Sequence, residues 1–302
     1  DFDGAKFVVR LGGAVFMHGA LPIAGDAMGC FVLPWLRDSQ GNIETCDNLM
    51  EWMKQLDQFR ERQLCGWKDY SNMPSHNECW ATCGGYANTT EAGKRFGDLM
   101  QYGMATLPDR SKSFSCVYNS WMDDGLPRDD LFGDSSTKAQ LSSLFDHEGV
   151  QLIATGHQPI GDFPWPIRLG KNKYVLPCDT SFSGETMWTA HDGSSPRVNL
   201  GKGLSSSGRG DVAYCEPVIQ LNPVSEKVEA LMLHGVLSDG TSYDCLQEYD
   251  SNHESEILVG ERLDVDFSES NGTKRSFWVK TKVNNKLLAS CGKGFNVWNV
   301  MV

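Results

Sequence analysis

The 302-residue sequence lacks any uncharged apolar run approaching the ~20 residues that a membrane-crossing helix needs; stretches such as Ala14–Phe16 and Val150–Ala154 stop far short. No membrane span is expected. Basic charge is also scarce: 27 Lys plus Arg stand against 39 Asp plus Glu, a net charge of −12. That balance opposes binding to a phosphate backbone, which needs clustered cations, so no nucleic-acid partner is expected. An acidic chain that handles phosphate esters needs positive charge from elsewhere, and bound divalent metal is the usual source. A Gly-x-Ser-x-Gly elbow is missing, as is a Gly-x-x-x-x-Gly-Lys-Ser/Thr phosphate loop; Lys202 in Gly201-Lys202-Gly203 lacks that frame. No repeat of fixed period is visible. The sequence starts at Asp1 without a basic segment followed by an apolar one, which leads us to expect a processed, trimmed or partial chain.

Composition otherwise fits a core-forming chain of about two domains, with 40% hydrophobic and 22% charged residues. Ten cysteines and the sequons Asn88-Thr89-Thr90 and Asn271-Gly272-Thr273 suit an oxidising compartment, but leave localisation unknown, secreted or lumenal as readily as cytoplasmic.

The chain opens with two β-prone runs, Lys6–Arg10 and Ala14–Met17, around the turn signal Gly12-Gly13, and the second runs into His18. From Asp47, a plausible N-cap, Leu49, Trp52, Met53, Leu56 and Phe59 recur at helical spacing until Cys65-Gly66, where the helix is expected to end. Lys68–Gly85 reads as loop, and Thr90–Met104 is compatible with a further helix. A second amphipathic helix begins near Ser135, capped by Ser136 or Thr137, and ends at Gly149 before the apolar strand Val150–Ala154. The loop Thr155-Gly156-His157-Gln158-Pro159 follows, then a strand at Lys173–Pro177 and the segment Cys178–Gly184. Past Pro196 the β-prone runs Val212–Ile219, Val228–Leu233, Phe277–Val283 and Phe295–Val300 suggest an all-β module, with Gly201–Gly210 as linker or mobile loop.

His18 and His157 therefore both emerge from strand ends, where open α/β sheets gather ligands. A neutral imidazole ligates zinc, iron or manganese, and the adjacent Gly19 and Gly156 let backbone come close; either His can equally satisfy a local turn. Asp162, Asp179, Asp26 and Asp211 occupy turn contexts and are carboxylate candidates, though turn formation explains each as well. His191-Asp192-Gly193 reads as a turn, and His234-Gly235 as part of an ordinary hairpin. His76, Cys79 and Cys83, with Cys65 upstream, suit structural zinc, disulfides or free thiols. Cys178 precedes Asp179, but no His has a motif that would pair with it as a nucleophile's base.

The string Arg10-Leu11-Gly12-Gly13-Ala14-Val15-Phe16-Met17-His18-Gly19-Ala20-Leu21 resembles the strand followed by His-Gly-Gly-Leu of calcineurin-like metallophosphoesterases. Ile153–Asp162, with Gly156-His157, resembles their last metal-binding block, and Cys178–Gly184 the strand and turn that follow it in the phosphoprotein-phosphatase-like branch. The resemblance spans Lys6–Gly184. It implies an α/β (α+β) fold: a partial metallophosphoesterase β-sandwich flanked by helices over 1–195 with a helical insertion at about 38–128, to which the β-prone runs beyond Pro196 add a small β-rich domain over 196–302. It also implies that His18 and His157 are metal ligands, with Gly19, Gly156, Asp162 and Asp179 near the site. In that family two divalent ions (Mn, Fe or Zn) clamp the phosphate ester and activate a water. The family's Asp-x-His, Gly-Asp-x-x-Asp and Gly-Asn-His-Asp/Glu blocks, which carry most metal ligands and the catalytic His, are absent; Ala20 replaces the usual second Gly, and Gly13 stands where Asp is frequent. No catalytic residue is thereby assigned. The chain is expected to be a carboxyl-terminal portion, inactive alone, partnered by its missing amino-terminal fragment or another subunit. The alternative is a non-catalytic phosphoesterase-like scaffold or binding subunit.

Overall fold

A computed structural model of the chain describes residues 5–24, 29–34, 43–71, 98–99, 102–104, 114–123, 126–157, 160–161, 163–180, 213–237, 240–248, 260–266, 274–283, 286–291 and 298–301. The fold is mixed α/β, with several small sheets and few helices. Two compact units divide the chain: residues 1–9 with 17–120, and residues 10–16 with 121–302. No helix among the described residues is long and apolar enough to cross a membrane.

The chain opens with β1 (Val8–Leu11) and β2 (Ala14–Met17). Gly12, at the turn between them, has a φ of 55°, a conformation that glycine adopts without steric cost. In the first unit, β3 (Phe31–Val32) pairs antiparallel with β4 (Thr45–Cys46), and α1 (Leu49–Ser71) packs beside them. Leu49, Trp52, Leu56 and Phe59 are all buried, as their spacing predicts. The Trp52 indole N–H donates to Val32 O at 2.9 Å, so this aromatic packs without an orphaned donor. Two expectations need correction. The cap is Asn48, whose Oδ1 accepts from Glu51 N at 2.9 Å, rather than Asp47. The helix also continues through Cys65-Gly66 to Ser71, because an interior glycine costs only about 1 kcal/mol and does not by itself stop a helix.

In the second unit, residues 10–16 are followed by the short pair β5 (Met122–Asp123) and β6 (Leu126–Pro127), a π-helical turn over Asp129–Gly133, and α2 (Ser135–Glu148). The α2 cap is Asp134, one position before the expected helix start, rather than Ser136 or Thr137. Its carboxylate accepts from Thr137 N at 2.8 Å and Thr137 Oγ1 at 3.0 Å. Gly149 ends the helix at φ 64°, and Arg10 donates to Glu148 O and Gly149 O.

The backbone N–H of Thr137 holds the Asp134 carboxyl below its usual range. A carboxyl depressed in the folded state stabilises fully above its unfolded pKa, and the contribution fades as pH falls through the folded value. Asp134→Ala is expected to lower the melting temperature measurably at neutral pH and Asp134→Asn by less, with the gap between parent and Ala variant closing under acid; thermal melts across pH check this.

Next come β7 (Leu152–Thr155), β8 (Ile167–Gly170) and β9 (Lys173–Pro177), which join the opening strands in a five-stranded sheet of order β1-β2-β7-β9-β8. A three-stranded antiparallel sheet follows: β10 (Tyr214–Leu221), β11 (Val228–Val236) and β12 (Ser242–Glu248). A four-stranded antiparallel sheet completes the unit: β13 (Arg262–Asp266), β14 (Lys274–Val283), β15 (Lys286–Cys291) and β16 (Trp298–Met301). One hydrophobic core joins Ala14, Leu152, Tyr174 and Leu176 with Leu231, Leu233, Tyr243 and Leu288, so side chains of all three sheets share it. Burying each such side chain contributes roughly 1.5–3 kcal/mol, which makes this shared core the main support of the five-stranded sheet.

Candidate functional site

The sheet of the second unit sets the geometry. Gly13, just before β2, accepts from Gln151 N at 2.8 Å and Leu152 N at 3.1 Å, so β2 and β7 are neighbours that begin together. β7 and β9 run parallel, with Leu152 opposite Tyr174 and Thr155 opposite Pro177. Their carboxyl ends therefore lie side by side, and the segments that leave them are bonded to each other: Cys178 N donates to Thr155 O at 2.7 Å and Ile160 N to Asp179 O at 2.9 Å. Gly156, His157, Cys178 and Asp179 are all half-buried along this edge.

His157 is the most unusual residue of the edge. Its φ of 82° puts a non-glycine residue in the left-handed region, at a cost of roughly 1–3 kcal/mol that the surrounding structure must offset. Such conformations concentrate at ligand clamps and active sites because geometry there is held against local preference. The parallel strands supply the holding: the backbone leaves β7 at Thr155, turns at Gly156-His157, and is bonded back to the end of β9 through Ile160.

His18 belongs to the first unit, is exposed, and directly follows β2. Gly19 beside it is buried, and its N–H donates to Cys116 O at 2.7 Å while Ala20 N donates to Asn119 O at 2.8 Å. A Cβ at position 19 would lie 2.4 Å from Asn119 O and 2.8 Å from Cys116 O. The glycine after His18 is thus required by the turn at 115–119, which the sequence did not reveal as its partner. Asn119 further donates its Nδ2 to Leu21 O at 2.9 Å, fixing the chain that leaves His18.

Of the remaining candidates, Asp162, Asp26, Asp211, His76, Cys79, Cys83 and His191 lie outside the described residues. His234 sits inside β11, opposite Glu216 on β10 and Asp244 on β12, with Nδ1 at 3.3 Å from Asp244 Oδ1. It faces Asp244 across the β11–β12 pair of the hairpin sheet, in keeping with the sequence reading.

Cys30, Cys46, Cys65, Cys116, Cys178, Cys215 and Cys245 take part in no disulfide. Burial pushes Cys116 up to about 12 and Cys215 up to about 11, and raises Cys178 further with help from Cys215 and Asp179. A thiol held so far above neutrality carries almost no thiolate, so none of these three is an activated nucleophile.

Comparison of the chain with protein-family models, curated proteins and solved structures gives no match in any of the three.

The donor set decides what this chain can hold. Among the described residues, no three His, Cys, Asp or Glu side chains are grouped so as to hold a metal ion. Two imidazoles fall short of the ligands that a pair of Mn, Fe or Zn ions requires, and carboxylates normally bridge such a pair. The described residues do not by themselves fit a two-metal centre, and no catalytic step is derived through one.

Proposed function

We propose that this chain is the carboxyl-terminal portion of a calcineurin-like metallophosphoesterase, with His18 and His157 as imidazole metal ligands and the remaining ligands supplied by a second polypeptide. The observation that carries the reading is the carboxyl edge of the parallel strands, where His157 has a left-handed φ of 82° in the segment whose Ile160 N donates to Asp179 O. A phosphate ester is the proposed substrate class. Divalent metal would supply the positive charge that a chain of net charge −12 does not provide. The partial metallophosphoesterase sandwich belongs to the same proposal, with β2, β7 and β9 as its metal-bearing strands. The missing ligands, and the carboxylates that bridge two ions, are assigned to the chain's amino-terminal fragment or another subunit.

Metal content and polypeptide composition of the natively purified material test this reading together. We expect two divalent ions per complex and a second polypeptide on a denaturing gel, with the isolated chain failing to hydrolyse a phosphate ester. Metal-free, partner-free native material would favour a non-catalytic scaffold instead.

A further inference from the structure

We propose that Lys280, a fully buried lysine on β14, is a positioning residue that clamps the loop carrying His157. Strand β14 pairs regularly with β15 at Trp278–Ser290 and Val279–Ala289, then slips so that Thr281 faces Leu288. Lys280 is the extra residue of this bulge, and a bulge redirects a side chain that regular pairing would aim elsewhere. Here it goes inward: Lys280 is 0% exposed, with Nζ donating to Ile160 O at 2.5 Å and to Phe163 O at 3.3 Å. The ammonium also sits 4.5 Å from the centre of the Trp165 ring, whose face attracts a cation.

Burying an ammonium costs several kcal/mol, and a Met or Leu would fill the same space without that cost. What the ammonium does that an alkyl chain cannot is bond carbonyls presented by irregular backbone. Ile160 and Phe163 are buried, and a buried carbonyl left without a donor is itself costly. The loop is thereby held on two sides. Ile160 N and Trp165 N donate to Asp179 O and Pro177 O beyond and at the end of β9, and the carbonyls of Ile160 and Phe163 accept from Lys280. His157, in its strained conformation, lies three residues before the first of these anchors. The part played by Lys280 in holding the loop stands on this geometry; its effect on metal binding rests on the ligand role proposed for His157.

Hydrogen exchange at the Ile160 and Trp165 amides in the full chain, with Mn2+ broadening of the His157 ring resonance in the natively purified complex, tests the proposal. Lys280→Met is expected to speed exchange at both amides about tenfold or more, as loss of a charge-assisted hydrogen bond implies, and to raise the Mn2+ midpoint by a similar factor. Thr281→Val, an equally buried change on the same strand, is expected to leave both readouts in place. Unchanged exchange in Lys280→Met, or equal acceleration in Thr281→Val, overturns the proposal. Faster exchange in Lys280→Met, with a parental complex whose His157 never responds to Mn2+, supports the clamp and removes the metal reading alone. If Lys280→Met does not fold, native-state exchange of the parent decides: Ile160 and Trp165 opening together with the β14 amides supports the clamp, and independent opening contradicts it.

Discussion

Gly19→Ala is expected to destabilise the first unit by roughly 3 kcal/mol or more, enough to lower its melting temperature by ten degrees or more. The added Cβ would meet Asn119 O at 2.4 Å and Cys116 O at 2.8 Å, both backbone atoms. Neither can retreat like the end of a flexible side chain. They are also the acceptors for Ala20 N and Gly19 N, so making room sacrifices the bonds that hold the turn. The surroundings of that turn are equally unyielding: Tyr102 is fully buried, accepts from Cys116 N at 3.1 Å and packs edge-on against Phe59 and Phe7. Thermal unfolding followed by near-ultraviolet circular dichroism measures the effect; a variant that melts with the parent would show that the 115–119 backbone is free to move.

The second large effect concerns chemistry. On the proposed phosphoesterase reading, His157→Ala in the natively purified complex is expected to lower phosphate-ester turnover by about 100-fold or more, since removal of a proposed ligand weakens metal binding directly. Stability should fall by much less than a core truncation would cost, because the half-exposed imidazole is not part of the shared core, although alanine tolerates a positive φ less well than histidine. Turnover, metal content and melting temperature measured on one preparation separate a lost ligand from a lost fold. Unchanged turnover with the mutation in place removes His157 from the mechanism.

Where periodicity and turn chemistry are local, the sequence was readable. The α1 face of Leu49, Trp52, Leu56 and Phe59, the stop at Gly149, and the strand Lys173–Pro177 all follow from spacing and punctuation within a few residues. Both caps lie upstream or downstream of their expected positions because Asp47-Asn48 and Asp134-Ser135-Ser136-Thr137 each offer several competent caps, and only backbone direction chooses among them. The two-residue strands β3 to β6 are too short to display a period.

The support of the candidate site was much less legible. That Gly19 answers to Cys116 and Asn119 depends on a contact about a hundred residues away. Lys280 did leave a trace: a lone cation inside the run Phe277-Trp278-Val279-Lys280-Thr281, whose five residues are all buried, marks a charge that must meet buried acceptors. Which acceptors it meets is set by the bulge in β14, and a bulge has no fixed signature in a single sequence.

We propose His18 and His157 as imidazole ligands of divalent metal, and titration of Mn2+ into the native complex, with each ring resonance followed separately, tests that proposal most directly. Saturable broadening of both resonances, reversed by a chelator, is the expected result. A His157 resonance that stays sharp as Mn2+ is added would contradict it.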